Sequence, residues 1–177
     1  MQAMGRKLEK ARPDRAPVAG VEVQVATRAA ALPRGADVPG WVAAAGARGR
    51  GTVTVRLVGW PESRRLNGNF RGKVGPTNVL AFPAARVPRG IPELGDLVIC
   101  LPLVYREAQE QGKKPLQHLA HLVVHGTLHL LGHDHDRAAP ARTMANAEVR
   151  ILRRLGFPDP YRQAVATRSP ARRRKRA

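Results

Sequence analysis

An α+β domain is what this sequence predicts, on three observations. Four short segments carry the alternation or the β-branched content of strands, and five others carry helical spacing. One of those helices, over residues 116–131, is apolar on every side, which marks a buried central element. At 177 residues and 43% hydrophobic content, the chain can bury an ordinary core without staples.

Residues 1–20 are polar, hold Pro13 and Pro17, and lack periodicity, so they read as a disordered basic extension. Residues 21–27 (VEVQVAT) alternate as a half-buried strand does. Residues 38–47, with Trp41, have helical spacing, and 52–58 (TVTVRLV) form a β-branched strand. Pro61 in the first turn and Gly68 near the end bracket a short helix over 61–70, and a glycine-bearing loop follows at 71–76. Residues 77–82 (TNVLAF) are a strand stopped by Pro83, and 94–100 (LGDLVIC) are the fourth. A helix over 102–111 ends at Gly112. The central helix shows Leu119, Leu122, Val123, Val124, Leu128, Leu130 and Leu131 around its circumference and stops at Gly132. A final helix, 141–155, is closed by Gly156 and Pro158, and after Tyr161 the chain becomes a basic tail. The division is an extension 1–20, one domain 21–161, and a tail 162–177, with no internal repeat at periods of 20–50 residues.

The formal charge is +18, from 31 Lys/Arg against 13 acids. The two ends carry +3 and +7, and the 21–161 segment keeps +8, so the excess belongs to the body too. A basic body with basic ends predicts a polyanionic partner, nucleic acid being the commonest; the alternative is a merely solvated, Arg-rich surface. The 172–176 run (RRRKR) fits a phosphate-contacting arm, against a solvated end. A single cysteine, Cys100, excludes a disulfide scaffold. Aromatics at 4% argue against a stacking platform of the RNA-recognition-motif type. No apolar run approaches the ~20 residues of a membrane span, and the basic start has no apolar stretch after it, so the cytoplasm is the expected compartment.

All six histidines fall between 118 and 135. Helical spacing puts His118, His121, His125 and His129 on one face. His125 and His129 are one turn apart, where two imidazoles can grip one ion. Gly132 then turns the chain back, and His135 can supply a third nitrogen. Three imidazoles leave one position open on a tetrahedral zinc ion, the arrangement of a catalytic site, where bound water acidifies toward a pKa of about 7. For His118 and His121 the expectation is a hydrogen-bonded core residue or a supporting role behind the ligands. His133 is expected to line the site. Asp134 and Asp136 are either acceptors that orient an imidazole or a solvated acidic turn. The spacing echoes His-Glu-x-x-His zinc proteases, but Gly126 occupies the glutamate position, so the general base of peptide hydrolysis is missing there.

The run His121-Leu-Val-Val-His-Gly-Thr-Leu-His-Leu-Leu-Gly-His-Asp-His135 resembles the signature of the YbeY family, bacterial single-strand-specific metallo-endoribonucleases of ribosomal RNA maturation. Leu66-Asn-Gly-Asn-Phe-Arg-Gly-Lys73, Pro76-Thr-Asn-Val-Leu-Ala-Phe-Pro83, Gly95-Asp-Leu-Val-Ile-Cys100 and Ala108-Gln-Glu-Gln-Gly-Lys113 agree with it, so the resemblance spans roughly residues 50–161. It implies a four-stranded mixed sheet with helices packed around a central one. It also implies zinc on His125, His129 and His135, and a functional arginine at Arg71. Phe70 and His133 stand where tyrosine is usual or frequent. The two basic ends lie outside the family pattern.

The expected function is therefore a zinc-dependent endoribonuclease with one ion per chain. Its expected substrates are single-stranded RNA and rRNA precursors, including the 3′ end of the small-subunit rRNA, with the small ribosomal subunit as partner. Arg71 can pair two phosphate oxygens and steady developing charge, or be an ordinary solvated arginine. Lys73, Arg64 and Arg65 either line the approach or are solvated. Attack by water and attack by the RNA 2′-hydroxyl are both open. A ribosome- or RNA-binding assembly factor with a structural zinc is the alternative function, and a zincin-like protease a remote one.

Overall fold

The computed structural model describes residues 20–85, 93–133 and 138–162. The extension up to residue 19, the tail from 163, and His135 with Asp134 and Asp136 lie outside the described residues. Strands β1 (Val21–Val25), β2 (Thr52–Val58), β3 (Val79–Pro83) and β4 (Glu93–Cys100) form one sheet in the order β1-β2-β4-β3. The first three neighbours are parallel and β3 runs antiparallel to β4, so the expected α+β architecture with a mixed four-stranded sheet is what the chain adopts. The helices are α1 (Val38–Val42, continuing into a π-helical turn over Ala43–Ala47), α2 (Trp60–Arg71), α3 (Leu101–Glu110), α4 (Pro115–Leu130) and α5 (Ala138–Arg154). Among the described residues, no helix is long and apolar enough to cross a membrane.

The two-residue alternation of the strands divides the core. Val53, Val55, Leu57, Leu97 and Ile99 face α4 and join one cluster with α1 and α5. Val58, Leu80, Val98 and Cys100 face the other way, against Trp60 and Leu66 of α2 and Leu103 of α3. Cys100 is fully buried and burial pushes its thiol up, which makes it a core residue and not a nucleophile. Helix α4 packs on β3, β4, α1, α3 and α5. That explains its all-round apolarity: Leu119, Ala120, Val123 and Val124 have no exposed surface. Buried Thr127 satisfies its hydroxyl on the Val123 carbonyl at 2.7 Å, one turn back.

Several boundaries move for identifiable reasons. β1 ends at Val25 because Thr27 turns inward on its own chain, its Oγ1 accepting from the Ala29 N–H at 3.0 Å. β3 begins at Val79, not at Thr77. The Ser63 hydroxyl donates to the Thr77 carbonyl at 2.7 Å and accepts from its N–H at 3.0 Å, so both Thr77 backbone groups go to a side chain of α2. α2 runs one residue past Phe70, so Arg71 is its last residue, and Gly72 at φ +63° turns the chain away. α4 ends in a Schellman closure. The Gly132 N–H donates to His129 O and the His133 N–H to Leu128 O, with Gly132 at φ +88°.

One glycine is indispensable to the sheet. Gly95 has φ +137°, and a Cβ there would stand 2.2 Å from the Phe82 carbonyl oxygen on the paired strand β3. Gly95→Ala therefore forces β3 and β4 apart. The expected loss is roughly 2–4 kcal/mol, read as a lower urea midpoint at unchanged slope.

Candidate active site

Helix α4 carries its histidines along the stripe that the sheet does not cover. His118, at its N-terminal end, is 4% exposed, and its Nε2 donates to Glu107 Oε2 of α3 at 2.7 Å. The Asn78 amide donates to the same oxygen at 3.0 Å, which links α4 and α3 to the residue before β3. His118 is thus a hydrogen-bonded core residue, the first of the two roles expected for it.

One turn on, the stripe meets Glu148 of α5. This carboxylate is 1% exposed, yet the hydrogen bonds to it keep it ionised. His121 Nε2 lies 2.9 Å from its Oε2, His125 Nδ1 lies 2.8 Å from its Oε1, and the Tyr161 hydroxyl donates to Oε2. Burial alone would raise this carboxyl. The hydrogen bonds from His121, His125 and Tyr161 outweigh it and hold the pKa at about 2. The same contact, added to burial, pushes the Tyr161 phenol above its ordinary range. His121, His125 and Glu148 each bring a donor atom within 4.8 Å of the others, so the group could hold a metal ion. Its internal separations are those of hydrogen bonds. Two ligands on a tetrahedral zinc stand roughly 3.3 Å apart, given bonds of about 2.0–2.1 Å, so an ion among these three requires them to spread.

Beyond His125 the stripe opens into a groove of about 420 Å³. His125, Gly126 and His129 form its floor, Val79, Leu80 and Ala81 of β3 contribute one wall, and Asn67, Arg71 and Lys73 come from the end of α2 and its loop. Asn67 is buried and its amide donates to the Gly75 carbonyl at 2.9 Å, which pins the loop after α2 beside the groove. The structure thus brings Arg71, His125 and His129 to one place. The His125 and His129 rings are 4.7 Å apart between centroids, close enough for two imidazoles to serve one metal ion. Lys73 lines the groove, whereas Arg64 and Arg65 are exposed on α2 away from it. Gly126 is a packing position: a Cβ there would stand 2.8 Å from Leu97 Cδ2 and 3.3 Å from Val79 Cγ2.

Sequence reasoning passed over the two carboxylates that anchor this face. The signal was present. Glu148 is the only acid in α5 and sits on its buried stripe with Met144, Ala147, Ile151 and Leu152, where an acid needs a partner. Glu107 occupies the corresponding place in α3, between buried Leu103, Val104 and Ala108.

Glu107 sets an acid limit on the fold. Burial would raise its carboxyl, but the bonds from His118 and Asn78 hold it below its ordinary value near 4.5. A carboxyl depressed in the folded state contributes stability that is present above its unfolded pKa and lost as pH falls through the folded one. Wild type is expected to exceed Glu107→Gln in stability at pH 7, and the gap to shrink as pH falls below about 4.5. Denaturant midpoints of the two proteins across that range measure it.

The comparisons with known proteins follow the same residues. The family model described as Endoribonuclease YbeY matches residues 41–156. An Endoribonuclease YbeY of Alkalilimnicola ehrlichii is 52% identical over 155 residues, covering 83% of this chain and 93% of that protein. One of Methylococcus capsulatus is 52% identical over 135 residues, covering 75% and 89%. The solution structure of TM1509 from Thermotoga maritima is 23% identical with a TM-score of 0.47, covering 80% of this chain and 99% of that one. With a family model matched over most of its length and relatives at half identity across three quarters or more of it, the chain belongs to the YbeY endoribonuclease family.

Proposed function

We propose that this chain is a metal-dependent endoribonuclease that cuts single-stranded RNA, with one zinc ion held by His125, His129 and His135 and with Arg71 as the catalytic cation. We assign it to the cytoplasm and to rRNA precursors on or near the small ribosomal subunit, including the 3′ end of the small-subunit rRNA. The observation that carries the reading is the single groove shared by Arg71, Lys73, His125 and His129. The endoribonuclease names of relatives at half identity support it, and so does the +18 charge of the chain.

The chemistry follows from where the side chains end. Arg71 is exposed at the C-terminus of α2, where Gly72 and the pinned Gly75 fix the backbone that carries it. A guanidinium there can pair two phosphate oxygens and stabilise charge that grows during phosphodiester cleavage. β3 is an edge strand of the sheet and forms a groove wall, so its outward backbone groups are available to an extended single strand laid along it. Zinc bound at the histidines would supply Lewis acidity and a water of lowered pKa. Lys73 adds positive charge along the approach.

The test is cleavage of a labelled single-stranded RNA by pure, zinc-loaded protein. Cleavage stopped by a chelator and restored by zinc is expected. Arg71→Ala should lower kcat/KM by on the order of 10²–10³ with zinc content intact. His129→Ala should lose both zinc and cleavage while keeping its helical circular dichroism. A 2′,3′-cyclic phosphate on the product would identify the neighbouring hydroxyl as nucleophile, and its absence would identify water. Zinc-loaded protein that leaves the RNA intact refutes the enzyme reading and favours a binding factor.

A further inference from the structure

We propose that Glu148 is the positioning residue of the metal site. It accepts a hydrogen bond from the Nδ1–H of His125, and so fixes the imidazole in the tautomer and orientation that offer Nε2 as a ligand. The inference rests on the reading of His125 as a ligand and assigns a task to a residue outside the histidine trio.

Glu148 Oε1 lies 2.8 Å from His125 Nδ1. With His121 and the Tyr161 hydroxyl donating to its other oxygen, the carboxylate accepts this bond as well, so the proton of the bond sits on Nδ1 and Nε2 is the nitrogen turned outward. The other oxygen is held by His121 Nε2 at 2.9 Å and by the Tyr161 hydroxyl. Three donors from two separate segments, α4 and the chain after α5, therefore fix a carboxylate whose own backbone is set by the packing of Met144, Ala147, Ile151 and Leu152. The ring angle of His125 is thereby dictated by the fold before any ion arrives. A buried charge in such a seam is seldom the most stable choice, and a well-packed apolar residue of similar volume often does as well or better. Glu148 thus has a chemical task that packing alone does not require.

His121 completes the assignment. It does not line the groove, and its Nδ1 is buried without a hydrogen-bond partner among the described residues. Its side-chain hydrogen bond is the one to Glu148, and its ring packs edge-on against Tyr161 at 5.6 Å and against the His118 and His125 rings. His121 and Tyr161 clamp the carboxylate; the carboxylate orients His125; His125 faces the groove. This chain of contacts gives the His121–His125–Glu148 group a role that keeps its hydrogen-bond spacing.

Zinc affinity and imidazole nitrogen spectra of the full chain test the proposal without any need for turnover. Glu148→Gln puts an amide N–H₂ against an imidazole N–H, and zinc affinity by competition with a chelating dye is expected to fall about 10–100-fold. A purely structural role would lower thermal stability and leave that affinity in place. Should the variant fail to fold, the wild type still decides. On zinc addition, ¹⁵N spectra should show coordination at His125 Nε2, a retained Nδ1 proton on His125, and no coordination at His121. Zinc on His125 Nδ1 or on His121, or a folded Glu148→Gln with wild-type affinity, overturns the proposal alone. Wild type that binds no zinc overturns both this inference and the function it rests on.

Discussion

A charge buried between two helices stays ionised only when donors enclose it, and the donors it needs decide where the neighbouring helices can lie. Glu148 is such a charge. Its partners come from α4 and from Tyr161, so α5 and the segment after it are locked to the central helix by polar contacts as well as by Met144, Ile151 and Leu152. On the other flank of α4, Glu107 of α3 takes His118 in the same manner and extends the link to Asn78, the residue before β3. The central helix is thus held on two sides by carboxylate–imidazole pairs, and each pair lies within a turn or two of the groove.

This arrangement reconciles two demands that conflict in an ordinary core helix. Burial on every side calls for apolar residues, and α4 supplies them toward the sheet and α1. A metal site calls for imidazoles held still, and these need polar company. The stripe from His118 to His129 resolves the conflict by grading its exposure: His118 is buried and spoken for, while His121, His125 and His129 are half-buried, with His125 and His129 reaching the groove. The Schellman closure at Gly132 then redirects the chain two residues beyond the end of α4, close to His129.

Much of this was legible in the sequence because it depends on local periodicity. The β2 range was read to the residue, since its β-branched run is bounded by glycines at 51 and 59. The buried character of α4 followed from leucines and valines on all of its faces. What escaped depends on pairing between distant segments. The start of β3 is set by a serine fourteen residues upstream, whose hydroxyl occupies both backbone groups of Thr77. Glu148 lies 23 residues beyond His125, and nothing in the local pattern of α5 names its partner; only an acid on an apolar stripe signals that there must be one. In the sequence Arg71 cannot be told from any other solvated arginine, because its place beside the groove depends on Gly72, Asn67 and a floor that comes from another helix.

The glycine after His125 carries the last step. In a His-Glu-x-x-His helix the second residue points a carboxylate toward the metal. Here that position points at Leu97 and Val79, in contact with the sheet, so a longer side chain would have to displace core atoms before it could reach any substrate. The groove consequently takes its polar character from Asn67, Arg71, Lys73, Thr77, Asn78 and the histidines, and no carboxylate lines it among the described residues. A groove lined by neutral and cationic side chains repels no phosphate. A peptide bond needs a base to deprotonate its attacking water, and the position that carries it in a His-Glu-x-x-His helix is here a glycine packed on the sheet. The close packing of α4 on the sheet therefore depends on the absence of a side chain at position 126.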